Sequence, residues 1–204
     1  MSRSKRTAIH VSPTAPLLLA LFVMVSSPLL LAALLLAAVL HELGHYWMLL
    51  RLHARVTALR ITALGAEMQV AGRLSYGGEV LAAAAGPAVN LLLALLLGLG
   101  GRLCEALYLF SGAQLVLGAF NLLPIPPLDG GSILWNLAAW LTEPYTADRV
   151  AAVVGFGMAA ALTLGAAAAL WMGGSPFLLL AAAGLLWLSI AAIGGCQTTA
   201  KQVK

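Results

Sequence analysis

Charged side chains are what this chain has least of. Seven acidic and eleven basic residues among 204 make it 9% charged and 62% hydrophobic, with a mean hydropathy of +0.98. Soluble domains carry about a quarter of their residues charged, so that class is excluded and the chain reads as an integral membrane protein. Cysteine is nearly absent as well. Cys104 and Cys196 are expected on opposite faces of a bilayer about 30 Å thick, which excludes a disulfide between them and leaves structural or lipid-facing thiols. Behind Arg3, Lys5 and Arg6 there is no long apolar run ending in a small-residue cleavage site, so a removable signal peptide is not expected. No internal repeat is evident.

Apolar runs fill the space that charge leaves. They fall at about residues 16–25, 29–50, 80–99, 103–123, 150–172 and 176–193, and five of them approach the roughly 20 residues a helix needs to cross a bilayer. Ser26, Ser27 and Pro28 separate the short first run from the second, as in a tight helical hairpin. Between the second and third, residues 56–72 are rich in β-branched side chains and interrupted by Gly65, which predicts a short hairpin. The expected fold is an all-α polytopic membrane protein: one embedded domain over residues 1–204, about six transmembrane helices, and a cytoplasmic-side β-hairpin between spans two and three.

With a cytoplasmic start, six spans place Arg3, Lys5, Arg6, Arg51, Arg55, Arg60, Arg73, Arg149, Lys201 and Lys204 inside and leave only Arg102 outside. That is the positive-inside asymmetry. It accounts for the pI of about 9.4 without a nucleic-acid partner. The expected location is the cell membrane, multi-pass, with both termini cytoplasmic.

The second apolar run leads directly into His41-Glu42-Leu43-Gly44-His45, the pattern HExxH. Three ionisable side chains in five positions cost several kcal/mol at bilayer depth unless they are paired, metal-bound or facing a wet cavity. On a helix, positions i and i+4 share a face, so His41 and His45 can hold one cation through neutral imidazoles. Glu42 beside them is placed as a general base toward a water activated by that cation. Arg51, just beyond on the cytoplasmic side, sets the site in the cytoplasmic half of the membrane.

A catalytic zinc takes a third protein ligand and keeps one position open. Asp129 is the leading candidate. It lies in residues 121–131, NLLPIPPLDGG, where three prolines and a glycine pair break the helix after the fourth run. Broken backbone at membrane depth occurs only where it is buried in protein or lines a cavity. Asn121 has two roles open to it: hydrogen-bonding the substrate carbonyl or its oxyanion, and capping freed backbone carbonyls. Glu105 is expected on the outer face, and His10 and His53 read as interfacial, although His10 is also placed to face the site from the membrane edge.

HExxH in the second span, Ala85-Gly86-Pro87-Ala88-Val89-Asn90 in the third, and NxxPxPxLDG after the fourth together resemble the site-2 protease family of intramembrane zinc metalloproteases, M50 type. The resemblance covers about residues 29–131. It implies zinc held by His41, His45 and Asp129, Glu42 as catalytic base, and hydrolysis of a peptide bond in or next to a substrate's membrane segment. Within the family the chain is most similar to the compact bacterial branch that includes stage IV sporulation protein FB, with no room for PDZ or CBS domains. That branch implies a membrane-associated transcription-factor precursor as substrate, such as a sporulation sigma-factor precursor, and a membrane-bound inhibitor or activator. Two other classes compete: a divalent-metal transporter, which would normally show mirrored halves, and an inactive scaffold, which would be expected to have lost Glu42.

Four further expectations concern the rest of the chain. An exposed strand edge in residues 56–72 is suited to holding an unwound substrate segment by β-augmentation. Residues 132–141, with Trp135 and Trp140, read as a short surface helix. Thr146 is the expected N-cap of the fifth span, with Asp148 facing the helix N-terminus. The Ala- and Gly-rich fifth and sixth spans suit either a gate or close packing.

Overall fold

The computed structural model describes residues 8–12, 27–62, 65–72, 74–102 and 104–202. In chain order the elements are β1 (Ala8–Val11), α1 (Pro28–Arg51), β2 (Arg55–Thr62), β3 (Gly65–Ala71), α2 (Tyr76–Gly100), α3 (Ala106–Asn121), α4 (Asp129–Leu141), α5 (Pro144–Trp171) and α6 (Pro176–Gln202). They fall into two compact units, Met1–Phe120 and Asn121–Lys204. The expected span at 16–25 lies outside the described residues.

In the first unit, Ser27 caps α1, its hydroxyl accepting from Leu30 N at 3.3 Å, and Pro28 follows in the first turn. Twenty-four residues at 1.5 Å each reach about 36 Å, long enough to cross a bilayer. The helix ends in a Schellman turn: His53 takes φ 56°, Ala54 N donates to Leu49 O at 2.9 Å, and His53 N donates to Leu50 O at 3.1 Å. Ser75 caps α2 in the same way as Ser27, accepting from Gly78 N at 3.1 Å. Helices α1, α2 and α5 are long and apolar enough to span. At 16 residues α3 is shorter than the run at 103–123 predicted, because the proline-rich segment stops it at Asn121.

The predicted hairpin is present as antiparallel β2 and β3, paired from Arg55↔Ala71 to Thr62↔Gly65. The sequence did not disclose β1, which adds parallel to β2 with Ala8↔Ala58 and Val11↔Ile61 in register. The order β1-β2-β3 makes β2 central. Among the described residues β1 and β3 form the edges, so Ile61 on β2 is not an edge position.

Packing inverts the soluble pattern. Ala33, Ala37 and Ala113 are buried among Leu34, Leu109, Phe110 and Leu117 where α1 meets α3, and small residues let helix backbones approach closely. Leu92, Leu95, Leu96 and Leu99 of α2 are each more than half exposed, as suits side chains facing lipid.

In the second unit, Ile125, Leu128, Ala159 and Leu185 form the core, with Leu123, Met158, Leu162 and Leu186 packed around it. Helix α4 starts at Asp129, ahead of the predicted 132. Helix α5 is capped at Glu143 and not at Thr146, because Pro144, with φ already set, occupies the first helical position. Asp148 accepts a hydrogen bond from Trp135 Nε1 at 2.6 Å, which ties α4 to α5.

Candidate metal centre

His41, Glu42 and His45 lie in the C-terminal half of α1, with His41 buried and the other two half-buried. The helix that faces them is α2, and two glycines set the spacing. A Cβ on Gly44 would lie 2.8 Å from Ala85 O and 3.0 Å from Val89 Cγ2. One on Gly86 would lie 2.7 and 2.8 Å from Cε1 and Cδ2 of His45, and nearest to its Nε2. Pro87 follows Gly86 and removes the N–H that would bond within the helix. One turn before Gly86, the Ala82 carbonyl accepts from His45 Nδ1 at 2.7 Å.

His41 Nδ1 donates to Asn90 Oδ1 at 2.6 Å. The orientation of that amide is fixed by its other side: Asn90 Nδ2 donates to Ala37 O at 3.1 Å and to Gln114 Oε1. Both imidazoles therefore meet an oxygen that can only accept, which places hydrogen on Nδ1 and leaves Nε2 as the basic nitrogen. The two Nε2 atoms face each other at 3.0 Å. Two neutral imidazoles in this tautomer cannot hydrogen-bond through Nε2, whereas zinc–nitrogen distances of about 2.0–2.1 Å let one ion lie between them. The pair fits a metal, and its outer partners are the kind that fix ligand orientation.

Asp129 is the first residue of α4, half-buried, with Leu128 at the N-cap. The chain before it is tightly folded. Ile125 N donates to Leu123 O at 2.7 Å, Leu128 N donates to Ile125 O at 2.8 Å, and the Pro126–Pro127 peptide is cis. A Cβ on Gly130 would collide with Leu122 O, and one on Gly131 would lie 2.6 Å from Pro126 N and 2.7 Å from Ile125 C. The glycine pair is therefore what lets α4 start against its own preceding loop. Asn121 closes α3. Of the other histidines, His10 is exposed on β1 and His53 is exposed at the α1 terminus.

Sequence reasoning noted the segment 85–90 but gave its residues no part in the site; it did not identify Gln114 at all. The available signal was a side-chain amide inside an apolar span, Asn90 on α2 and Gln114 on α3.

Comparison with known proteins bears on the fold. The model of Peptidase family M50 matches residues 100–164. The structure is similar to that of a site-2 protease from Methanocaldococcus jannaschii, with a TM-score of 0.67 and 24% identity over 90% of this chain and 89% of that one. The chain thus has the site-2 protease fold, and the family match is confined to residues 100–164. It is also 27% identical over 130 residues to a zinc metalloprotease of the same archaeon, a match covering 60% of this chain and 38% of the relative, well under half the relative's length.

Proposed function

We propose that this chain is a zinc-dependent intramembrane endopeptidase in which His41, His45 and Asp129 hold the metal and Glu42 is the general base. The observation that carries the reading is the imidazole pair: both rings are held with Nδ1 as donor and the Nε2 atoms converge at 3.0 Å on a helix fit to cross a membrane. Two imidazoles and one carboxylate are the donor set of a catalytic zinc with an open position.

When bound, zinc supplies Lewis acidity that polarises the scissile carbonyl and acidifies water. The chain's own residues do the rest. Glu42 takes a proton from the attacking water and returns it to the leaving amine. Asn121, at the end of α3, is the candidate for binding the substrate oxyanion, with capping of freed backbone carbonyls as its alternative role.

The substrate is an unwound stretch of a transmembrane or membrane-associated protein, since a helical peptide bond is shielded by its own hydrogen bonds. The exposed edge of β3 is a place to hold that stretch by strand addition. The compact-branch resemblance makes a sporulation sigma-factor precursor the candidate substrate. The distribution of Lys and Arg supports cytoplasmic termini and a site in the cytoplasmic half of the bilayer.

Co-expression with a tagged membrane-associated precursor tests the reading. Cleavage by the wild type that is lost in Glu42→Gln with zinc retained supports it. Zinc flux across vesicles without cleavage of any membrane substrate would favour a transporter instead.

A further inference from the structure

We propose that Gln114, on a helix that carries neither histidine ligand, is a positioning residue for the metal centre: its side-chain oxygen fixes the Asn90 amide, and that amide holds His41 in the tautomer a metal requires. The inference rests on the zinc reading and extends the centre outward by two side chains.

The contacts run from α3 through α2 to α1. Gln114 Oε1 accepts from Asn90 Nδ2, whose second hydrogen goes to Ala37 O at 3.1 Å, so that Asn90 Oδ1 is the atom left to meet His41 Nδ1 at 2.6 Å. Asn90 is 0% exposed and Gln114 1%, so water cannot replace a missing partner. An amide has one accepting and one donating end. Turning Asn90 by half a revolution would aim its NH2 at His41 and an oxygen at the Ala37 carbonyl. His41 would then carry its hydrogen on Nε2 and lose the lone pair that binds metal. Ala37 O opposes this turn because a carbonyl can only accept, and Gln114 opposes it as long as its own amide keeps Oε1 toward Asn90.

The fold holds Gln114 in reach by removing bulk beside it. Gly118 lies one turn further along α3, and a Cβ there would stand 3.0 Å from Asn90 Cβ and 3.3 Å from Pro87 O. Ser111 Oγ donates to Ala94 O at 2.7 Å and ties the same two helices. A simple interhelical clamp would already be served by that serine bond. What sets Gln114 apart is that its partner is the side chain that meets a candidate ligand.

The test uses the full chain in lipid with 15N-labelled histidine, as Gln114→Met, which removes the acceptor, and Gln114→Glu, which keeps an oxygen in its place. The 15N spectrum of His41 in metal-free protein reports which ring nitrogen carries hydrogen, and chelator competition reports zinc affinity. Gln114→Met should populate the Nε2–H form of His41 and bind zinc about tenfold more weakly, at the low end of the effect of outer-shell partners. Gln114→Glu should restore both readouts, and the His45 tautomer should stay unchanged throughout because its partner is the Ala82 carbonyl. If Gln114→Met does not fold, Gln114→Asn, which withdraws the oxygen by one methylene, is scored in the same way. A folded acceptor-deficient variant with wild-type tautomer and affinity overturns the proposal, as does a Glu variant no better than Met. A wild type that binds no zinc overturns the metal reading instead, and the tautomer comparison still decides the role of Gln114.

Discussion

The proposed chemistry rests on a few side chains, each with a separable expected effect. Glu42→Gln removes the proton acceptor without touching a ligand, so cleavage should fall by about 10²–10⁴-fold while metal analysis still finds zinc; undiminished cleavage would remove Glu42 from the mechanism. Asn90→Leu should weaken zinc binding by about 10–100-fold, read by chelator competition, because His41 loses the oxygen that orients it. Gly86→Ala drives a methyl into the His45 ring, and the variant should lose zinc while α1 and α2 still form, as judged by circular dichroism. The HExxH residues were legible from sequence because ionisable groups in an apolar run have few reasons to be there. Asn90 and Gln114 were not legible as site residues, since an amide in a span has a structural use as often as a functional one and only the partner atoms distinguish the two.

At the scale of elements, the fold depends on where helices stop. The glycine pair Gly130-Gly131 lets α4 begin against Leu122, Ile125 and Pro126, so Gly130→Ala should shift Asp129 and cut both zinc occupancy and cleavage. If Gly130→Ala left both at wild-type levels, the tight start of α4 would not be what places the carboxylate. The hairpin offers a different prediction: Met68→Pro on β3 should reduce cleavage and leave zinc content unchanged, and unaltered cleavage would remove β3 from substrate binding. Spans and hairpin were readable from hydropathy and β-branched composition. The parallel partner β1 was not, because a four-residue strand has too little pattern to declare itself. The cap of α5 was misread for a local reason, as Pro144 starts a helix more firmly than Thr146 caps one.

For the whole molecule, small buried residues and large exposed ones mark a protein whose outer solvent is lipid, and the positive-inside distribution gives its expected orientation. Cysteine placed at Arg102 and at Arg149 should be labelled by an impermeant thiol reagent from opposite faces, and labelling of both from one face would contradict six spans. The account depends most on Asp129 completing what the two histidines begin. Zinc content of the purified protein, measured for the wild type and for Asp129→Ala side by side, tests this directly. About one zinc per wild-type chain and about a tenth of that or less in the variant is the expected result; equal zinc in both would contradict it.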